Sequence, residues 1–203
     1  EYGMGLQGVI GARRADLDGV LNGIDTAMWD PNDDPHLPAH YSARSLKGKA
    51  ACRDALADYF SIEPSPHAPM FGIVSRLTRQ KGIDLLISVL PRLLSRGATL
   101  AVLGAGDHDL EQAFRSAATA YPRRVGVQIG YSEELAHLLQ AGADSILVPS
   151  RFEPCGLTQL YALRYGSPPV VARTGGLADT VIDANDAAVK AACGTGFQFS
   201  PVA

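Results

Sequence analysis

The sequence predicts an α/β domain built on a doubly wound parallel sheet of the Rossmann-like kind. Two observations carry the prediction. Short runs at 70–75, 98–103, 125–129, 145–148 and 169–172 are apolar throughout, and longer amphipathic segments alternate with them. Strands that are apolar on both faces belong to parallel sheets covered by helices on both sides. The unusual residues, glycines and isolated charges, gather directly after those strands, where the loops of such a sheet bind ligands.

The elements follow in order. Gly19 to Asp25 reads as a short apolar strand ending in a turn, and 29–38, dense in Pro, Asp and His, reads as a loop. Residues 45–60 have the Ala, Leu and Lys content of a helix, and Pro64, Pro66 and Pro69 mark a linker. After the strand at 70–75, residues 82–96 place Ile83, Leu86, Ile87, Leu90 and Leu94 on one helical face. Helices are expected at 107–121, capped by Asp107, at 132–141, capped by Ser132, and at 157–165.

Composition excludes several classes. The 203 residues carry a formal net charge of -3, against a general nucleic-acid binder. No apolar run reaches the roughly 18 residues needed to span a bilayer, which speaks against a membrane partner. Residues 1–8 lack the basic and apolar regions of a signal peptide. Cys52, Cys155 and Cys193 are far apart and odd in number, and the histidines at 36, 40, 67, 108 and 137 are scattered. No metal site and no disulfide framework is expected, and a cytoplasmic location is the default.

Five loops hold the candidate chemistry. Arg76 and Lys81 stand between a strand and a helix, with Gly82 allowing a tight entry into the helix. Positive charge beside backbone N–H donors suits a pyrophosphate, although a solvated basic loop would read the same. Gly104-Ala105-Gly106 is followed by Asp107-His108-Asp109 and lacks the third glycine of a dinucleotide fingerprint, which disfavours NAD. Tyr131, at a strand end, either stacks on a base or is an ordinary half-buried tyrosine. In Glu153-Pro154-Cys155-Gly156-Leu157-Thr158 a carboxylate precedes a helix start. Sugar hydroxyls would suit Glu153 and an anion would suit the N–H groups of Leu157 and Thr158, or else Glu153 is a local cap. The loop at Thr174-Gly175-Gly176 is the fifth.

These segments together resemble the carboxyl-terminal domain of bacterial glycogen synthases and plant starch synthases. The matching stretches are Leu21 to Asp25, Ser75 to Gly82, Gly130 to Glu133, Arg173 to Val181 and, most specifically, Pro149-Ser150-Arg151-Phe152-Glu153-Pro154-Cys155-Gly156-Leu157-Thr158-Gln159-Leu160. The resemblance implies the GT-B architecture and transfer of glucose from ADP-glucose to the non-reducing end of an α-1,4-glucan, with retention and without metal or cofactor. It implies that Arg76 and Lys81 bind the donor pyrophosphate and that Glu153 contacts the donor glucose. Asn22, Cys155 and Gly156 would lie near the glucose, Leu157 and Thr158 at the distal phosphate, and Tyr131 on adenine. Many enzymes of this architecture carry a second glutamate eight positions after the first. Tyr161 stands there, as the narrower family would have it, which leaves the ribose contact unassigned.

The resemblance further implies that 1–16 is the tail of an amino-terminal domain, 17–69 a junction, and 70–203 the nucleotide-sugar-binding domain. The acceptor surface would lie on the missing domain, so the 203 residues alone are expected to bind ADP weakly and make no glucan. The competing readings are another nucleotide-sugar transferase, of the sucrose- or trehalose-synthase type, and a nucleotide-binding module without catalysis.

Overall fold

The computed structural model describes residues 5–200. The first four residues of the expected 1–16 segment and the last three of 70–203 lie outside them. Six parallel strands form one sheet: β1 (Met70–Val74), β2 (Thr99–Gly104), β3 (Val125–Ile129), β4 (Ser145–Val148), β5 (Pro169–Ala172) and β6 (Phe197–Phe199), in the spatial order β3-β2-β1-β4-β5-β6. This is the doubly wound order. The chain moves outward from β1 in one direction, then returns to the other side of β1, so a crevice opens between the carboxyl ends of β1 and β4.

The helices are α1 (Gln7–Ala12), α2 (Lys47–Phe60), α3 (Ile83–Ser95), α4 (His108–Ala120), α5 (Glu133–Gly142), α6 (Thr158–Arg164), α7 (Gly175–Thr180) and α8 (Asp186–Lys190). Two cores lie on opposite faces of the sheet, because alternate strand residues point to opposite sides. Ile73, Leu100 and Val102 meet Leu86 and Leu90 of α3 and Phe114 of α4. Met70, Ala101 and Leu103 face Leu56 of α2, Leu139 of α5 and Leu177 of α7. The expectation of helices on both faces holds only in part. Phe71, Leu147, Val170 and Phe199 line an apolar groove beside Leu85 and Val89 of α3. There α3 reaches Leu147 of β4, while Val170 and Phe199 stay only partly buried.

Three local expectations are corrected and a fourth holds. Residues 19–25 form no strand: Val20 is 91% exposed and has no strand beside it to pair with. Asp107 occupies the N-cap of α4, but its side chain accepts no capping bond; Glu111 reaches back instead, its Oε1 accepting from Gly106 N–H at 2.8 Å. Ser132 does cap α5, accepting from Leu135 N–H at 3.2 Å. Helix α6 begins at Thr158 and has only seven residues, so Leu157 is its N-cap and the field at its end comes from about two turns.

A buried polar cluster ties the 29–41 segment to α5 and α6. The His137 Nδ1 lies 2.7 Å from Asp34 Oδ2, and the Tyr165 hydroxyl donates to the same oxygen at 2.5 Å. An ionised carboxylate only accepts, so Nδ1 carries the proton. Trp29 seals the cluster, stacked between His137 and Tyr161 at centroid distances of 3.7 and 3.8 Å. Beside it the Lys49 ammonium donates to Ala141 O at 2.7 Å, Tyr165 O at 3.2 Å and Ser167 Oγ at 2.7 Å, serving carbonyls left open at the ends of α5 and α6.

Candidate functional site: the crevice between strands β1 and β4

Leaving β1, the chain turns at Leu77, which is fully buried, and enters α3 through Gly82. Gly82 has φ +70, and a Cβ there would sit 1.9 Å from the Pro149 carbonyl oxygen. Only glycine lets this helix start touch the loop after β4. The contact continues outward. Arg151 N–H donates to Gln80 O at 2.9 Å, and the Gln80 side chain donates to Phe152 O at 3.3 Å. Arg151 also forms a two-pronged pair with Asp84, at 2.6 and 3.0 Å, and its Nη1 donates to Arg79 O at 2.8 Å. Asp84 lies in the first turn of α3, and the hydrogen bond from Arg151 holds its carboxyl below the usual carboxylate range against a smaller opposing effect of burial.

Between these contacts Lys81 and Glu153 meet. The Lys81 ammonium donates to Glu153 Oε2, and Ser150 Oγ donates to the same oxygen at 3.2 Å. Glu153 is 9% exposed, whereas the second carboxylate oxygen has no hydrogen-bond partner among the described residues. A buried charge of this kind persists only when paired. The pair lines a cavity with Ser75, Gly156, Leu157 and Thr158.

The Glu153 loop is fixed from behind by residues to which the sequence reading gave no role. Gln159 is fully buried, and its Nε2 donates to Cys155 O and Gly156 O at 3.0 Å and to Thr180 Oγ1 at 3.1 Å. Gly176 N–H donates to Glu153 O at 3.1 Å. At Gly175, with φ +43, a Cβ would lie 2.2 Å from the same carbonyl. A polar residue at the start of an otherwise apolar helix face was the available signal for Gln159; nothing in the sequence pairs Asp84 with Arg151.

A second cleft adjoins the first and shares Val74 and Ser75 with it. Arg76, Gly104, Ala105, Gly130 and Tyr131 line it. Tyr131 is 81% exposed, so it is not the half-buried tyrosine of the alternative reading. Among the described residues no carboxylate pairs with the Arg76 guanidinium. The structure therefore separates the two cations: Lys81 faces Glu153, and Arg76 stands on the Tyr131 side. Asn22 N–H reaches Cys155 Sγ at 3.0 Å, which brings the 19–25 segment to the rim of the first cavity. The Gly104–Gly106 turn is occupied by the chain itself, with Leu77 N–H donating to Ala105 O at 2.9 Å and Asp107 N–H to Leu77 O at 2.8 Å.

An ammonium–carboxylate pair stands at a topological switch point beside a cleft with an exposed aromatic ring, the place where sheets of this topology bind their ligands. Residues 58–196 match the family described as "Glycosyl transferases group 1", and the chain belongs to that family. It is 60% identical over 202 residues to the glycogen synthase of Roseobacter denitrificans and 56% identical to glycogen synthase 1 of Rhizobium meliloti. It covers 42% of each, so it spans less than half the length of these curated relatives. The catalytic domain of Arabidopsis thaliana starch synthase IV, solved with ADP and acarbose, superposes with a TM-score of 0.91 at 34% identity, over 99% of this chain and 42% of that one. The Anabaena protein Alr3699/HepE shares the fold at a TM-score of 0.65 and 22% identity, over 93% of this chain and 45% of that one.

Proposed function

We propose that these residues form the donor-binding half of a retaining α-1,4-glucosyltransferase that moves glucose from ADP-glucose to the non-reducing end of a glucan, a glycogen synthase. The observation that carries the reading is the pair of adjoining clefts. One offers an exposed ring and a guanidinium for a base and its phosphates. The other offers an ammonium and a buried carboxylate for the phosphate–sugar junction. The similarity to glycogen synthases and to an ADP-bound starch synthase supports the same assignment.

The chemistry follows from charge. When the bond from the anomeric carbon to the phosphate breaks, negative charge grows on ADP and positive charge on the sugar. Arg76 and Lys81 take up the first. The open N–H groups at the start of α6 add a smaller contribution, because the helix is short. Glu153, whose Oε1 has no partner among the described residues, accepts hydrogen bonds from sugar hydroxyls and stands beside the second charge. Asn22, Cys155 and Gly156 close the sugar end, and Tyr131 stacks on adenine. The glucan binds chiefly to a partner domain outside these residues. Residues 1–16 belong with that domain: α1 buries no residue and leaves Val9 63% and Ile10 50% exposed. Residues 17–69 form the junction and 70–203 the nucleotide-sugar domain. Three free cysteines fit a reducing cytoplasm.

Labelled-glucose incorporation into glycogen by the full-length protein tests the proposal. ADP-glucose should outcompete UDP-glucose, and Lys81→Ala should lower kcat roughly a hundredfold, about 3 kcal/mol. Incorporation by Lys81→Ala within a few-fold of wild type would reject the phosphate role. A preference for UDP-glucose would reject the donor.

A further inference from the structure

Besides the Lys81–Glu153 pair and the Gln80 contacts, the two loops that carry those residues meet at an inner and an outer end. At the inner end the backbone of Gly82 abuts the Pro149 carbonyl. A single backbone contact of that kind leaves the loops free to hinge about it. At the outer end the Arg151 guanidinium grips both oxygens of Asp84 and the Arg79 carbonyl. A planar fork on a carboxylate fixes distance and angle together, which a single bond cannot do. Arg151 is two residues from Glu153, and Asp84 is three from Lys81. Both side chains are about a quarter exposed, and neither lines the cavity that holds Lys81 and Glu153.

We infer that Asp84 and Arg151 are a positioning pair for glucosyl transfer: they lock the hinge between the two loops and thereby set the separation of the Lys81 ammonium from the Glu153 carboxylate. The inference rests on the donor-site reading above. Neither residue lines the two clefts assigned to the donor. Their influence passes through the loop backbones, by Arg151 N–H to Gln80 O at 2.9 Å and by the Gln80 side chain to Phe152 O at 3.3 Å. Lys81 faces charge that appears only as the bond breaks, so its placement governs the transition state more than the bound ground state. A shift of about 1 Å at such a centre costs on the order of a hundredfold in rate. ADP has a second anchor in the Arg76–Tyr131 cleft, which the pair does not border.

A double-mutant cycle in the full-length protein tests this with Asp84→Asn, Arg151→Lys and the two combined, each followed by kcat with ADP-glucose, by calorimetric titration with ADP and by thermal melting. Arg151→Lys keeps the charge and removes the fork. Both single variants should lose about 10- to 100-fold in kcat, and the double variant should lose no more than either single within about twofold, as residues acting as a unit do. The ADP dissociation constant should stay within about threefold of wild type in all three, a split that general damage to the fold would not produce. The inference is overturned if either single variant keeps wild-type kcat, if the losses multiply in the double variant, or if ADP affinity falls in step with kcat. A wild-type protein without ADP-glucose turnover would reject the donor-site reading itself, which separates the two failures. ADP titration shows whether each variant has a folded cleft before its rate is read.

Discussion

Two buried pairings of a carboxylate with a nitrogen donor stand out among the described residues, and they differ in what closes them. Lys81 and Glu153 meet at a cavity, with side chains 20% and 11% exposed, and join loops 72 residues apart. His137 and Asp34 meet beneath Trp29, 1% and 0% exposed, and join segments 103 residues apart. In the sealed cluster both Asp34 oxygens are taken, one by His137 and Tyr165 and the other by the His36 N–H, beneath a stacked indole. In the crevice one carboxylate oxygen has no partner among the described residues, and under the proposed function the ammonium exchanges its partner for a phosphate. The same pairing chemistry thus holds chain to chain in one place and is available to a ligand in the other.

Breaking the sealed cluster tests the contrast most severely. Asp34→Ala leaves His137, Tyr165 and the His36 N–H without their acceptor. Removing one member of a buried pair costs about 3–5 kcal/mol. The urea midpoint should fall accordingly, while the fraction that remains folded binds ADP as wild type does. A midpoint within about 1 kcal/mol of wild type would show that the cluster is replaceable and the contrast unsound.

The crevice should answer in the opposite currency. Tyr131→Ala removes an 81% exposed ring and should leave the urea midpoint unchanged. ADP affinity should drop by about 1–3 kcal/mol, the range for a base stacked on an aromatic side chain, and Tyr131→Phe should restore it. Titration calorimetry decides, and equal binding by Tyr131→Ala would remove the ring from the nucleotide site.

The smallest effect is a pH slope at the margin of the sealed cluster. Burial, opposed by the charge of Asp144, brings Lys49 down from 10.5 to about 8. The folded-state value lies below the unfolded one, so between pH 8 and 10.5 the unfolded chain holds the extra proton and stability rises with pH. Burial pushes Cys52 above its ordinary 9.0 and Tyr41 and Tyr165 above their ordinary 10.0, which makes stability fall once the unfolded thiol and then the unfolded tyrosines begin to ionise. The rise is therefore confined to roughly pH 8 to 9, at no more than about 1.4 kcal/mol per pH unit. Urea midpoints across that interval should show it in wild type and not in Lys49→Gln.

Strands β1 to β5 and helices α2 to α6 were legible to within about two residues, because each is an apolar run or stripe bounded by turn residues. Helices α7 and α8 and strand β6 were not. Gly175–Thr180 opens with two glycines, Asp186–Lys190 has five residues, and Phe197–Phe199 has three, too short for any period to show. Val20 and Leu21 suggested a strand by composition, but a strand needs a neighbour and 19–25 has none beside it. At the site, position after a strand pointed to Arg76, Lys81, Tyr131 and Glu153. The groups that hold them were hidden. Asp84 and Arg151 stand 67 residues apart, and Tyr165 and Asp34 stand 131 apart, distances at which no local pattern exists.

The glycines at 82 and 175 carry one more consequence, for variation in this crevice. At both positions main chain rests on main chain, against Pro149 and Glu153. The width of the mouth is therefore written in the absence of side chains, and no rotamer can widen or narrow it. Under the proposed function, residues that line the cavity with side chains, such as Leu157 and Thr158, are the ones through which a lineage or a designer can change which donor is accepted. An insertion in either loop would separate the two walls at once, so the loops should vary in residue type far more readily than in length.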